Sequence, residues 1–230
     1  MMQNVTSAAY FAVLISLALY QLGAFMKKKF RSALINPLLI AIAGTIAALL
    51  LSGMEYEAYA AAARPLSYLL TPATVCLAIP LYKRLGLLRR NYRAVIAGIA
   101  LGVVTSFLGV LVIALAFGLD HSQYVTLLPK SVTTAIGMDV SAINGGVSTI
   151  TVAVIILTGI VGNVIAEPVC RIMKITDPVA QGVGIGSASH AIGTSRAMEM
   201  SDVAGAMSGL SIAVAGLMTV ALAAVFSSII

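Results

Sequence analysis

Two stretches of this chain set ionisable side chains among hydroxyls and glycines within otherwise apolar sequence. They are 127–144 (LLPKSVTTAIGMDVSAIN) and 182–200 (GVGIGSASHAIGTSRAMEM). In the first, Lys130 is followed by Ser131, Thr133 and Thr134. In the second, Ser187, Ser189, His190 and Thr194 precede Arg196. A small carboxylate needs this combination: a cation for its charge, and hydroxyls or helix N-terminal N–H groups for its oxygens. His190 titrates near physiological pH. Glu199 lies three residues after Arg196, on the same face if the segment is helical. Either is a candidate for carrying a coupling proton. Each residue also has a plainer reading: Lys130 snorkelling to an interface, Arg196 and Glu199 as a structural pair, and His190 as a packing residue. Asp139 is the one further carboxylate close to the first motif, whereas Glu167 and Asp202 read as interfacial or capping residues.

The same residues give little support to catalysis. The chain contains no G-x-S-x-G, no H-E-x-x-H and no Walker loop. No carboxylate is placed by sequence to orient His190 as the base of a serine nucleophile. Cys76 and Cys170 lie in or at the end of apolar segments without metal-ligand spacing, so they read as buried, inert thiols. The expectation is a protein that is not an enzyme and uses no cofactor and no metal.

The elements that position these motifs are membrane helices. Of 230 residues, 60% are hydrophobic and 10% charged, with a mean hydropathy of +1.04. Soluble domains carry about 25% charged residues. Apolar spans of crossing length, about 20 residues, are predicted at 5–26, 34–53, 66–82, 94–117, 147–170 and 204–229. The two polar motifs suit neither lipid nor open water. Irregular backbone persists at membrane depth only where protein or a water-filled cavity satisfies it. The predicted fold is therefore an all-α polytopic membrane protein, a single transmembrane domain over 1–230. It has about six full transmembrane helices plus two re-entrant or broken-helix segments. Pro72 and Pro80 in the third span, and Gly137 and Gly193 in the motifs, are the candidate helix breaks, while Asn36-Pro37 reads as a helix start.

Charge placement predicts orientation. Lys27, Lys28, Lys29 and Arg31 follow the first span; Lys83, Arg84, Arg89, Arg90 and Arg93 follow the third; Arg171 and Lys174 follow the fifth. These alternate loops fall on one side and hold most of the 14 basic residues, which marks the cytoplasmic face and puts the N-terminus outside. The basic run follows the first span rather than preceding it, the reverse of a signal peptide, so that span is expected to be retained. The net charge of +6 is thus a topology signal, and no nucleic-acid partner is expected.

The motifs also match each other. Ser131–Gly137 reads SVTTAIG and Ser187–Gly193 reads SASHAIG, at an offset of 56 residues. The same shift carries the span 94–117 onto 150–173, close to the fifth span. Units 94–144 and 147–200 then run in opposite directions through the membrane. That is an inverted-topology repeat, the arrangement in which secondary transporters place discontinuous helices around a midplane site. The alternative is a pair of small-residue helix-packing motifs.

The runs LLPKSVTTAIGMDVSAINGG and GIGSASHAIGTSRAMEM, with TPATVCLAIPLYKRL upstream, resemble the LrgB/CidB family of bacterial membrane proteins over essentially the whole chain. Ala135 stands where many members have Pro, and Ser195 where Ala is usual. The resemblance implies an antiholin-like protein that is paired with a small LrgA/CidA-type membrane protein and influences murein hydrolase activity and autolysis. Plastid relatives are glycolate/glycerate translocators, and related bacterial pairs are linked to pyruvate uptake. The residues side with transport. The expected function is a secondary carrier for small monocarboxylates of the pyruvate, lactate, glycolate or glycerate class, bound between the two motifs. The alternative is an antiholin-like modulator. Expected partners are the small organic anion, an LrgA/CidA-type protein, the lipid bilayer of the cell membrane and further copies of the chain in a homo-oligomer.

Overall fold

A computed structural model describes residues 2–30, 37–69, 72, 76, 82 and 85–230; among them the regular structure is entirely helical. The chain divides into two compact units, Met1–Cys76 and Leu77–Ile230.

In the first unit, α1 (Met2–Phe30) ends on Lys27, Lys28 and Lys29, cations that suit a helix C-terminus. Helix α2 (Pro37–Ser52) opens on a proline and packs on α1. Gly23 permits this approach, because a Cβ there would stand 2.8 Å from the Pro37 Cα. Two short helices follow, α3 (Tyr56–Ala62) and α4 (Arg64–Tyr68). The Ser16 hydroxyl shares a 2.7 Å hydrogen bond with Tyr59, tying α3 to α1.

The second unit contains α5 (Leu85–Phe117), α6 (His121–Leu127), α7 (Thr134–Ile143), α8 (Ser148–Ile172), α9 (Pro178–Met200) and α10 (Asp202–Phe226). A last 3-10 turn covers Ser227–Ile229. Val95, Ile99, Val103, Phe107, Val110 and Ala114 form one buried stripe of α5 at helical spacing, packed on Tyr124, Val125 and α10. Phe107 meets Phe226 at 5.0 Å between ring centroids. Other positions of α5, namely Leu101, Leu108, Val112 and Leu115, are apolar and exposed. A helix that is apolar all round and not covered by protein belongs in lipid. Among the described residues, four helices are long and apolar enough to cross a membrane: Tyr10–Phe30, Arg89–Phe117, Ser148–Ile172 and Asp202–Ile229. They coincide with the first, fourth, fifth and sixth predicted spans. The second span becomes α2, at 16 residues shorter than a full crossing. Most of the third span, Pro80 included, lies outside the described residues; Pro72 is helical and exposed.

Both polar motifs fold as helical hairpins. In the first, α6 starts from a capping box in which Asp120 accepts from the Gln123 N–H. The chain turns over 128–133 and α7 returns. His121 Nε2 lies 3.1 Å from the Asn144 carbonyl oxygen at the open end, while the Pro129 carbonyl oxygen faces Gly137 near the tip. In the second hairpin, α9 has two arms, 178–189 and 191–200, joined at His190, whose φ of 43° and ψ of −141° interrupt the helix. The contacts of α9 reverse direction there. The first arm runs antiparallel to α8, from Gln181 beside Ile175 to Ser189 beside Gly162. The second runs back alongside α8, with Asn163 donating to the Ile192 carbonyl and Arg196 paired to Glu167.

Gly137 and Gly193 correct the predicted break points. Both lie inside regular helix, and the breaks fall at 128–133 and at His190. The glycines instead make room: the Ile155 side chain occupies the space a Cβ on Gly137 would need, and Ser189 with Ile185 that of Gly193. The thiols also differ from expectation, since Cys170 is buried but Cys76 is exposed.

Candidate functional site

The hairpins open toward opposite ends of α8. The first opens beside Ser148, the second beside Ile172, and each hairpin packs on both α5 and α8. At the first tip, Lys130 Nζ donates to the Ser106 hydroxyl at 3.1 Å and to the Ser131 hydroxyl at 3.0 Å; those two hydroxyls lie 3.2 Å apart. One helical turn away on α5, Ser187 of the second hairpin packs on Gly102, where a Cβ would meet the Ser187 Oγ at 3.0 Å. Ile155 of α8 touches both motifs. Its side chain lies against Gly137, and its carbonyl oxygen accepts a 3.0 Å hydrogen bond from His190 Nε2. Gly159 clears space for the His190 ring, which stands 2.7 Å from a Cβ built there.

The donors at the first tip can be counted. An ammonium carries three N–H groups, and a hydroxyl one O–H with two acceptor sites. Two ammonium protons go to Ser106 and Ser131, and one hydroxyl proton is shared between those serines. One N–H and one O–H remain, as many donors as a carboxylate has oxygens. Among the described residues no carboxylate pairs with Lys130. Thr133 caps α7 without a side-chain cap bond, and the first N–H groups of that helix face the same end of the hairpin. A helix N-terminus favours an anion.

Of the sequence-predicted residues, the structure brings Lys130, Ser131, Thr133 and Thr134 to the first tip, and Ser189 and His190 to the second. Ser187 is buried and donates back to the Val183 carbonyl at 2.6 Å. Thr194 is buried between the His190 carbonyl, at 2.9 Å, and the Ser208 hydroxyl, at 2.7 Å. Arg196 is not brought to the tips. It sits near the open end of the second hairpin, paired with Glu167 and, at 2.6 Å, with Glu199. Glu167 is twelve residues along α8 from Ile155, about 18 Å at 1.5 Å per residue. Sequence reasoning missed Ser106 and Gly102 on α5, and Gly159 and Asn163 on α8. The available signal was small or polar residues at three- and four-residue spacing inside spans that are otherwise bulky and apolar. Among the described residues no cluster of three or more His, Cys, Asp or Glu side chains is placed to hold a metal ion.

The family model described as the LrgB-like family matches residues 16–229. The chain belongs to the LrgB-like family. Similar proteins include the holin-like protein CidB of Staphylococcus aureus (strain Mu50 / ATCC 700699), 36% identical over 88% of each chain. The antiholin-like protein LrgB of Bacillus subtilis (strain 168) is 31% identical over 98% of each, and CidB of Staphylococcus epidermidis (strain ATCC 12228 / FDA PCI 1200) is 34% identical over 88% of each. No solved structure matches the chain significantly. Residues 16–229 take in both hairpins and every residue named above at their tips, so the paired hairpins lie wholly within the part matched to the LrgB-like family.

Proposed function

We propose that this member of the LrgB-like family is a secondary carrier for small monocarboxylates, of the pyruvate, lactate, glycolate or glycerate class. The observation that carries this reading is that two oppositely opening hairpins reach neighbouring turns of α5 and share Ile155 of α8, with Lys130 at the first tip bonded to Ser106 and Ser131 and paired with no described carboxylate. An ionisable group at membrane depth is costly and marks a ligand pathway by default. Opposed discontinuous helices are how secondary carriers build a midplane site open to either side in turn. The anion sits between the tips with its carboxylate on Lys130 and Ser131. His190 and Glu199 are the candidates for proton coupling. The chain crosses the cell membrane several times with its N-terminus outside, as the alternating basic loops favour, and it does no covalent chemistry. Uptake of labelled pyruvate, lactate or glycolate into proteoliposomes of the purified chain tests this directly. No uptake, with or without an LrgA/CidA-type partner, refutes it.

The names of the relatives favour a second reading, an antiholin-like or holin-like modulator of murein hydrolase activity and autolysis. None of those names mentions transport. On this reading the protein acts through an LrgA/CidA-type partner or through copies of itself, and the hairpin tips are structural. Co-purification with such a partner, combined with absent uptake, selects it.

A further inference from the structure

The open end of the second hairpin carries a cleft of about 630 Å³ lined by charged groups, among them Glu167, Arg171, Lys174, Arg196 and Glu199. Arg196 is held between the two glutamates. Arg171 makes one exposed pair with Glu167, and Lys174, in a left-handed turn with φ 56°, has no ion-pair partner among the described residues. The lining therefore carries one net positive charge, with Arg171 and Lys174 at its edge. A second groove of about 220 Å³ adjoins it and runs between α8 and the first arm of α9. The two share Cys170, Ile175 and Gln181. The second groove is lined by Ile165, Val169, Gly184, Ile185 and Ala188 and ends at Ser189. Its walls are almost wholly apolar, so it offers nothing to a hydrophilic anion on its way to the tips.

From this continuity we infer that the paired cavities hold one anionic phospholipid, its phosphate against Arg171 and Lys174 and an acyl chain in the groove beside α9. A cationic head site opening into an apolar slot of a membrane-spanning unit has the polarity profile of that molecule. Basic pockets between membrane helices at the interface are recognised anionic-lipid sites. The bound chain lies against Ala188, Gly184 and Ile185, the arm that carries the second tip, so lipid occupancy supports that hairpin against α8.

The test uses the full chain purified in detergent and offered phosphatidylglycerol or phosphatidylcholine with the same acyl chains, with retained lipid read by native mass spectrometry. One net positive charge, at about 1 kcal/mol, gives a preference for phosphatidylglycerol of roughly fivefold. The double variant Arg171→Gln/Lys174→Gln should retain both lipids equally. Gly184→Leu should retain neither: a Cβ at Gly184 meets nothing within 4 Å, so the new side chain starts in open space and extends into the groove. Ala188→Leu, one turn on, is the independent second groove-filling variant. Equal retention of the two lipids by the unsubstituted chain overturns the inference. So does thermal stabilisation by inorganic phosphate equal to that by phosphatidylglycerol, or a lipid-free dimer that Gly184→Leu dissociates.

Discussion

Replacing Lys130 with Gln separates a binding role from a structural one, because the two predict opposite signs. If the third N–H of Lys130 holds a carboxylate, that charge-assisted bond is worth about 1.5–3 kcal/mol, against about 0.5–1.5 kcal/mol for the neutral amide of Gln. The amide also lacks the attraction between full charges. The expected loss in uptake kcat/KM is about five- to tenfold. Lys130→Met, which offers no donor, should lose the full value, roughly 10–150-fold. Stability should move the other way. Lys130 is half-buried, and among the described residues it hydrogen-bonds two serine hydroxyls and pairs with no carboxylate. Removing a charge held in such surroundings should leave the folded protein unchanged or stabilise it by on the order of 1 kcal/mol. The assays are initial uptake rates in proteoliposomes and the thermal midpoint of the detergent-solubilised protein. Unimpaired uptake by both variants would falsify the site. A lowered midpoint with kcat/KM unchanged per folded molecule would make Lys130 a structural residue.

Further outcomes follow from the same geometry. Gly186→Ala should destabilise by about 1–3 kcal/mol, since its Cβ would run into the backbone of Ser208. Gly184→Ala, two residues away and facing open space, should stabilise by about 0.8–1 kcal/mol through helix propensity alone; thermal midpoints of the pair check the sign change. At the second tip, His190→Gly should cost less stability than His190→Ala. Both lose the bond to the Ile155 carbonyl, but only Gly relieves the left-handed backbone, worth about 1 kcal/mol; chemical denaturation compares them. Arg196→Gln should lower the midpoint by loosening the second arm from α8, leaving uptake KM within about twofold, because its partner Glu167 lies about 18 Å along α8 from Ile155, the residue both motifs touch. A tenfold rise in KM would return Arg196 to the binding site.

The long helices were legible because their signal is repeated in every residue. In α1, α5, α8 and α10 an apolar run of crossing length leaves no other economical burial. The hairpins were legible only as departures from that pattern. Their hydroxyl and glycine content announced backbone that lipid could not accommodate, yet the break points were misassigned to Gly137 and Gly193. A glycine in sequence signals either a turn or a close approach, and the choice depends on what packs against it. Here that is Ile155 from α8 and Ser189 from the other arm of the same hairpin, neither visible from local sequence. Thr134 and His190 are 56 residues apart, the offset at which the two motifs match. Thr134 opens the returning helix of the first hairpin, and His190 is the residue that breaks the second. Arg196 was placed with the tips because it shares their sequence motif. The reversal at His190 carries it away again, toward Glu167.

The two hairpin motifs share Ser, Ala, Ile and Gly at the same spacing but differ in chemistry, and that difference bears on how the family names should be understood. The first tip carries a cation and its serines; the second carries an imidazole bound to a backbone carbonyl. On α5 the position facing the first tip is Ser106, a donor to the shared network. The residue 56 positions on, Gly162, has no side chain, and Ser189 of the second hairpin fills the space. A packing motif duplicated for stability has no reason to keep one cation and remove its counterpart. A binding site formed between two tips needs one charge for one anion, and a second cation there would raise the cost of emptying it. This asymmetry favours the carrier over a purely structural pair of hairpins. It also leaves room for the antiholin-like naming of the relatives: on the proposed carrier reading, any effect on autolysis would follow from carboxylate flux at one remove. The Lys130 variants then bear on both readings. If control of autolysis in cells is lost together with uptake, the phenotype depends on transport. If it persists when uptake is gone, the protein acts on its partners by contact.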